Sequence, residues 1–388
     1  MAPRESYDAS KSECQVGSMR DLTRKGNGVE LVSAKWAQFC GNLAVVVVAL
    51  LFSLTLAEAG YRLFAGLPVF SLTDWRTSRV VLKRVGETAI PDPVLGWTLQ
   101  PWVTSADFTT IDHGIRPNFG EKAIRTGAIL AVGDSFTEGW VDNDESWPAY
   151  LERLINTPVV NAGVFGYATD QIVLRAEQLL PIVKPKILIV DFLEYDVFRA
   201  QHSVFGAPKP YFTLVNGKLQ FHPPKATDPG SETTLLAGAF SDFRQLFGYS
   251  ALIDHVLGRL APNYWYAGAT FQQANIDAAA VTCALLDRLK KRVDADGVRL
   301  ILFMQYYEDL VVGGHRSENA WRVITCAKTA GIQVVDQFSA LRAIYVADPG
   351  RIHDYYLQNE LPGLGHMNPM GNQHAAKLLA EALGSLKP

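Results

Sequence analysis

The sequence predicts an α/β chain: a flavodoxin-like, three-layer α/β/α domain on a five-stranded parallel sheet, preceded by an N-terminal transmembrane helix. Three observations carry this. From about residue 127 onward, short apolar segments alternate with segments of helix length. The short segments are hydrophobic at consecutive positions, as strands are when helices cover both faces of a parallel sheet. Ahead of them, Trp36 to Ala57 holds no charged residue; these roughly 22 residues span roughly 33 Å as a helix, enough for a hydrocarbon core of about 30 Å.

Taken in order, residues 1–35 are polar and mixed in charge, and read as a loose tail. Residues 36–58 form the anchor, whose Val-rich centre lacks the polar stripe of a surface helix. Ala57-Glu58-Ala59 has the small-x-small pattern of a cleavage site. The polar region before the apolar run is nevertheless about twice the usual length for a cleaved signal, which favours an uncleaved anchor. Arg20, Arg24, Lys25 and Lys35 precede the run, and Arg62, Arg76, Arg79, Lys83 and Arg84 follow it, so positive charge does not separate the two orientations. Signal-anchor logic then predicts a single-pass protein of the cell membrane, its bulk on the extracytoplasmic, periplasmic side.

Residues 59–125 read as an irregular lead-in, marked by Asp92-Pro93-Val94-Leu95-Gly96-Trp97 and Pro101-Trp102. The main domain follows over 126–388. Its predicted strands are Ala128–Val132, Val159–Asn161, Lys186–Asp191, Arg299–Met304 and Gln333–Val335. Helices are predicted over Trp147–Ile155, Asp170–Leu180, Gln272–Val293, Asn319–Ala330 and Met370–Leu383. An insertion at about 200–248, rich in Pro, Gly and aromatic residues, breaks the alternation. Within it, Phe212 to Phe221 reads as a hairpin turning at Asn216-Gly217. A substrate lid and a decorative loop are equal readings of the insertion.

Composition narrows the partners. A net charge of −3 with 19% charged and 48% hydrophobic residues describes a globular chain, and no basic stripe is present, so no nucleic-acid partner is expected. The cysteines are Cys14, Cys40, Cys283 and Cys326; none has CxxC or Cys/His metal spacing, so neither a metal nor a cofactor is expected. With the bulk exported, Cys283 and Cys326 are the pair on the oxidising side. Two separate buried thiols are the expectation, a bridge the alternative.

The chemistry centres on Ile129-Leu130-Ala131-Val132-Gly133-Asp134-Ser135-Phe136-Thr137-Glu138-Gly139. An apolar strand ends at Gly-Asp-Ser, and in an open parallel sheet ligands and catalytic groups collect beyond the C-terminal strand ends. On this segment alone, Ser135 is equally a nucleophile and a helix cap. A nucleophilic serine needs a base at the same edge. His366 is best placed, in the glycine-rich loop Gly363-Leu364-Gly365-His366-Met367-Asn368-Pro369 before the last helix.

Gly133-Asp134-Ser135, Asn161-Ala162-Gly163-Val164-Phe165-Gly166 and Gly365-His366-Met367-Asn368-Pro369-Met370-Gly371-Asn372 follow in one order along residues 126–388. Together they resemble the blocks of the SGNH, or GDSL, hydrolase superfamily. The anchor followed by Asp92-Pro93-Val94-Leu95-Gly96-Trp97 resembles its membrane-anchored bacterial envelope members. The resemblance implies the SGNH hydrolase fold, Ser135 as nucleophile, His366 as general base, and an oxyanion hole from the backbone N–H groups of Ser135 and Gly166.

Two positions depart from that pattern. Tyr195, in Leu193-Glu194-Tyr195-Asp196, stands where the superfamily has an oxyanion asparagine; its hydroxyl is a candidate replacement donor to the oxyanion hole, with a reach that differs from an amide's. Gly363 stands where it has the aspartate three residues before the histidine; Asp354 and Glu360 are candidate orienting acids, and Asp191, Glu194, Asp196 and Glu308 are further carboxylates at strand ends. The resulting expectation is a serine esterase or deacylase cleaving an O-acyl ester of a small molecule, glycan or lipid through a Ser135–His366 acyl-enzyme. Alternatives are an O-acyltransferase that modifies an envelope glycan, and a catalytically weak or inactive glycan-binding protein.

Overall fold

The computed structural model describes residues 22–70, 88–104, 109–225, 246–261, 265, 271–274, 276–358 and 365–384. Two units are distinct, Met1–Ser71 and Leu72–Pro388. In the first, helix α1 (Leu22–Phe64) contains the 24-residue stretch Gly41–Phe64, long and apolar enough to cross a membrane. The helix begins at Leu22, so residues 22–35, expected as part of a loose tail, are helical. Once an apolar helix is nucleated, extension into its flank requires no second nucleus.

In the second unit, β1 (Ala89–Asp92) and β2 (Gly96–Leu99) form an antiparallel hairpin. The central strands and their helices then alternate: β3 (Ile129–Val132), α2 (Ser135–Glu138), α3 (Trp147–Ile155), β4 (Val159–Asn161), α4 (Thr169–Val183), β5 (Ile187–Leu193) and α5 (Glu194–Arg199). Strand β6 (His202–Phe205), the hairpin β7 (Tyr211–Val215) and β8 (Lys218–His222), helix α6 (Ala251–Leu260) and β9 (Phe271–Gln273) follow. The alternation resumes with α7 (Ala278–Ala295), β10 (Arg299–Gln305), α8 (Glu308–Gly313), α9 (Glu318–Thr329), β11 (Gln333–Asp336), α10 (Phe338–Ala347) and α11 (Pro369–Ala382).

The five-stranded sheet is parallel throughout, in the order β4-β3-β5-β10-β11. Numbered within the sheet, that is 2-1-3-4-5, the flavodoxin-like order. Strand alternation divides the core. Leu130, Val132, Leu188, Val190, Leu300 and Leu302 face one way, into a core shared with Ile172 and Ala176 of α4, Leu285 and Leu289 of α7, and Val323 and Ala327 of α9. Ile129, Ala131, Ile189, Ile301 and Phe303 face the other way, against Trp147 and Leu151 of α3 and Ala375, Ala376 and Leu379 of α11. Each fully buried Leu or Val contributes about 1.5–3 kcal/mol, so strands apolar at every position are stable only between two helical layers.

The structure changes three further expectations. Residues 89–99, within the stretch read as an irregular lead-in, form an ordered hairpin whose Ala89, Leu95, Trp97 and Leu99 belong to the main core. Asp92 shapes its turn by accepting the N–H groups of Val94 and Leu95. The helix expected over Gln272–Val293 starts at Ala278, where Asp277 caps it, because Phe271–Gln273 instead pairs with β6. Cys283 and Cys326, expected as separate thiols, are disulfide-bonded between α7 and α9. The two helices pack side by side on one face of the sheet, which brings the cysteine Cα atoms to 5.8 Å.

The predicted hairpin turns at Asn216 and Gly217, with φ of 51° and 74°, the paired left-handed geometry that Asn-Gly favours. Residues 226–245 of the insertion lie outside the described residues.

Candidate active site

The strand order reverses at β3, which places a topological switch point between the C-terminal ends of β3 and β5. Three segments meet there: the β3–α2 turn, α5, and the loop entering α11. At the turn, Asp134 is the helix cap, its Oδ1 accepting the N–H of Phe136 at 2.8 Å. Ser135 is therefore the first helical residue and its side chain is left for other work. Gly133 admits the tight turn because a Cβ there would lie 2.0 Å from Thr137 Oγ1.

His366 Nε2 lies 2.9 Å from Ser135 Oγ, within hydrogen-bond reach. Asp134 Oδ2 is a second neighbour of the hydroxyl at 3.3 Å. The described residues around His366 are held by specific contacts. Leu357 N–H donates to His366 O at 2.8 Å, and Gly365 passes so close to Leu357 O that a Cβ would sit 2.4 Å away. Asn368 caps α11, and Asn372 Oδ1 accepts the Trp147 N–H at 3.2 Å while its amide donates to Met367 O.

The segment bearing Gly166 is tied to the serine turn. Val164 N–H donates to Gly133 O at 3.1 Å, and Phe165 N–H to Glu138 Oε2 at 2.7 Å. Gly163 is packed on α2, where a Cβ would lie 2.2 Å from Glu138 N. Gly166 has φ +69°, and among the described residues neither its N–H nor that of Ser135 donates to a protein acceptor. Trp97 of the lead-in hairpin supports this segment, donating its indole N–H to Phe165 O at 3.1 Å and accepting the Tyr167 hydroxyl at its main-chain O at 2.6 Å.

Tyr195 takes a place in an aromatic wall. Its ring packs against Phe205 of the insertion and against Tyr307, which in turn contacts Phe136, and Phe136 contacts His366. Burial pushes the Tyr195 hydroxyl above its ordinary pKa, favouring the neutral phenol.

The carboxylates separate by environment. Arg199 Nη1 donates to Asp134 Oδ2 at 2.7 Å and to Asp196 Oδ1 at 2.6 Å, with both carboxylates fully buried. Burial alone would lower Arg199, but Asp196 and Asp134 overcome it and hold the guanidinium charged. Burial, with the neighbouring Asp134, pushes Asp196 up against the pull of Arg199. Burial likewise pushes Asp191 well above the usual carboxylate range, and its Oδ2 accepts the Thr137 hydroxyl at 2.6 Å. Glu194 is half-buried and raised by burial, while Glu308 pairs with His353. Of the candidate orienting acids, Asp354 is exposed and its main-chain O accepts the Asn368 amide at 2.8 Å. Glu360 and Gly363 lie outside the described residues.

Sequence reasoning missed Arg199, Trp140 and Arg116. Arg199 had a signal, since it stands three residues after Asp196 and so shares one face of a short helix with it. Trp140 follows immediately on the glycine that ends the serine motif. Arg116 had none, because its partners are main-chain carbonyls at 138, 139 and 141.

No family model and no curated protein matches the sequence. Among solved structures, the chain is similar to LAE5, an alpha/beta hydrolase enzyme from the metagenome of Lake Arreo, Spain, at 14% identity and a TM-score of 0.41, covering 68% of this chain and 99% of that one. It is similar to a catalytic mutant of Axe2, an acetylxylan esterase from Geobacillus stearothermophilus, at 14% identity and a TM-score of 0.39, covering 68% and 99%. A structure named as a lipolytic protein of the G-D-S-L family from Desulfitobacterium hafniense DCB-2 is similar at 15% identity and a TM-score of 0.34, covering 66% and 99%. The blocks that hold Ser135, Gly166 and His366 resemble, as sequence motifs, those of the SGNH/GDSL hydrolases.

Proposed function

We propose that the Leu72–Pro388 unit is a serine esterase or deacylase that hydrolyses an O-acyl ester through an acyl-enzyme on Ser135. The observation that carries this is the 2.9 Å contact between His366 Nε2 and Ser135 Oγ at the switch point of a parallel sheet. In the first half-reaction Ser135 Oγ attacks the ester carbonyl carbon while His366 Nε2 takes its proton. The tetrahedral intermediate collapses, the C–O bond to the alcohol breaks, and the imidazolium returns the proton to the leaving oxygen. Water then attacks the acyl carbon, again giving a proton to His366, and Ser135 leaves reprotonated.

The Ser135 and Gly166 N–H groups are the donors for the oxyanion; such a donor typically contributes on the order of 10²–10³ in turnover. Asp134 and Arg199 anchor the serine turn from beneath. Helix α1 is proposed as the membrane anchor. The Cys283–Cys326 bond supports an extracytoplasmic, oxidising location for the unit.

A fluorophosphonate probe tests the reading. The expected result is labelling of the wild-type protein that is abolished in Ser135→Ala. Folded wild-type protein that stays unlabelled would overturn it in favour of a binding role.

A further inference from the structure

The imidazole of His366 lies face to face with the indole of Trp140, ring centroids 4.4 Å apart and planes only 7° from parallel. A second aromatic neighbour, Phe136, is 5.2 Å away and tilted by 40°. Trp140 is a large apolar side chain left 46% exposed, on a loop, where hydrophobic burial alone would not select it.

That loop is held with unusual force. Arg116, 2% exposed, donates through Nη1 to Glu138 O at 2.6 Å and Gly139 O at 2.5 Å, and through Nη2 to Val141 O at 2.6 Å. Its Nε donates to Asn143 Oδ1 at 3.0 Å. One buried guanidinium thus grips the carbonyls on both sides of residue 140. Gly139, at φ +84°, turns the chain out of α2 in a conformation that L side chains rarely adopt. These contacts leave the Trp140 backbone little freedom, and the stacked ring passes that restraint to His366.

We infer that Trp140 is a positioning residue for the Ser135–His366 pair: its indole face fixes the plane of the imidazole and stabilises the imidazolium formed each time His366 accepts a proton. An aromatic face attracts a cation lying over it, and the gain exists only in the charged states along the reaction. The inference rests on the acyl-enzyme reading of Ser135 and His366. It assigns Trp140 no contact with the acyl group.

The test compares Trp140→Phe with Trp140→Leu on p-nitrophenyl acetate. Leu keeps the imidazole covered but removes the π face, whereas Phe retains one. Trp140→Leu should lower kcat by about tenfold to a hundredfold with KM within about threefold, and Trp140→Phe should recover most of the loss. Unchanged kcat in Trp140→Leu overturns the proposal. So does a rise in KM at unchanged kcat, which would make Trp140 a substrate contact.

Intrinsic fluorescence gives a readout that does not depend on turnover or on the Leu variant folding. Wild-type protein should show a pH-dependent quench that is lost in both Trp140→Phe and His366→Asn. A quench that persists in either variant overturns the stacking. Wild-type protein that shows this quench but takes no fluorophosphonate label retains the stacked pair while the acyl-enzyme reading, and the catalytic role built on it, fails.

Discussion

Ser135 and His366 are separated by 231 positions in the chain yet lie 2.9 Å apart, Oγ to Nε2. The contact depends on two independently held loops, one capped by Asp134 and one by Asn368. His366→Ala should therefore lower kcat on p-nitrophenyl acetate by on the order of 10⁴ or more while leaving the fold intact, since the loop is held by its backbone and by Asn368 and Asn372. Circular dichroism and steady-state kinetics on one preparation check both halves. A loss below tenfold would mean that another base serves Ser135.

Arg199 bridges two buried carboxylates, Asp134 and Asp196. Removing one partner of a buried ion pair strands the other charge, so Arg199→Met should destabilise the protein by about 3–5 kcal/mol in urea denaturation. Adding Asp196→Asn to that variant should restore part of the loss, because one stranded charge disappears. Strictly additive losses in the double variant would show that the two residues are not coupled.

The Cys283–Cys326 bond closes a sequence separation of 43 residues. Replacing both cysteines by serine should cost about 2–4 kcal/mol, mainly through the greater freedom of the unfolded chain. Dithiothreitol should lower the urea midpoint of the wild-type protein and leave the double variant unmoved. Equal midpoints for the wild-type protein with and without reductant would contradict a stabilising bond.

His202 is buried, with Nδ1 3.2 Å from Phe198 O. Burial, and then the charge of Lys209, push its imidazole down to about 4 from an ordinary 6.5. Below pH 6.5 the unfolded chain takes up a proton that the native state refuses until about pH 4. The wild-type protein should therefore lose stability as pH falls through this window. His202→Asn, which keeps an N–H donor for Phe198 O, should lose less over the same range. Urea midpoints at several pH values measure the difference, and parallel curves for the two proteins would refute the assignment.

Much of the frame was legible in order of residues alone, for identifiable reasons. Strands such as Ile187–Leu193 and Arg299–Gln305 are apolar at successive positions, and only a sheet covered on both faces tolerates that. The Asn216-Gly217 turn and the Trp147–Ile155 helix depend on local backbone preference and patterning, which short stretches of sequence express directly. The hairpin of residues 89–99 and the strand Phe271–Gln273 were missed because their order comes from partners elsewhere: the main core for one, and β6, some seventy positions away, for the other.

The sequence by itself determined the alternation of strands and helices, the long apolar N-terminal helix, and the residue types Ser135, His366 and Gly166 with their order along the chain. Only the tertiary structure decided that Asp134 caps the helix while Ser135 meets His366, that Cys283 bonds Cys326, that Arg199 joins Asp134 to Asp196, and that Trp140 lies on the imidazole. The physical reason is range. Periodicity and turn preference act over a few residues and leave a record in the local sequence. Hydrogen bonds, ion pairs and stacked rings join whatever the sheet order brings together, and that order depends on the packing of the whole domain.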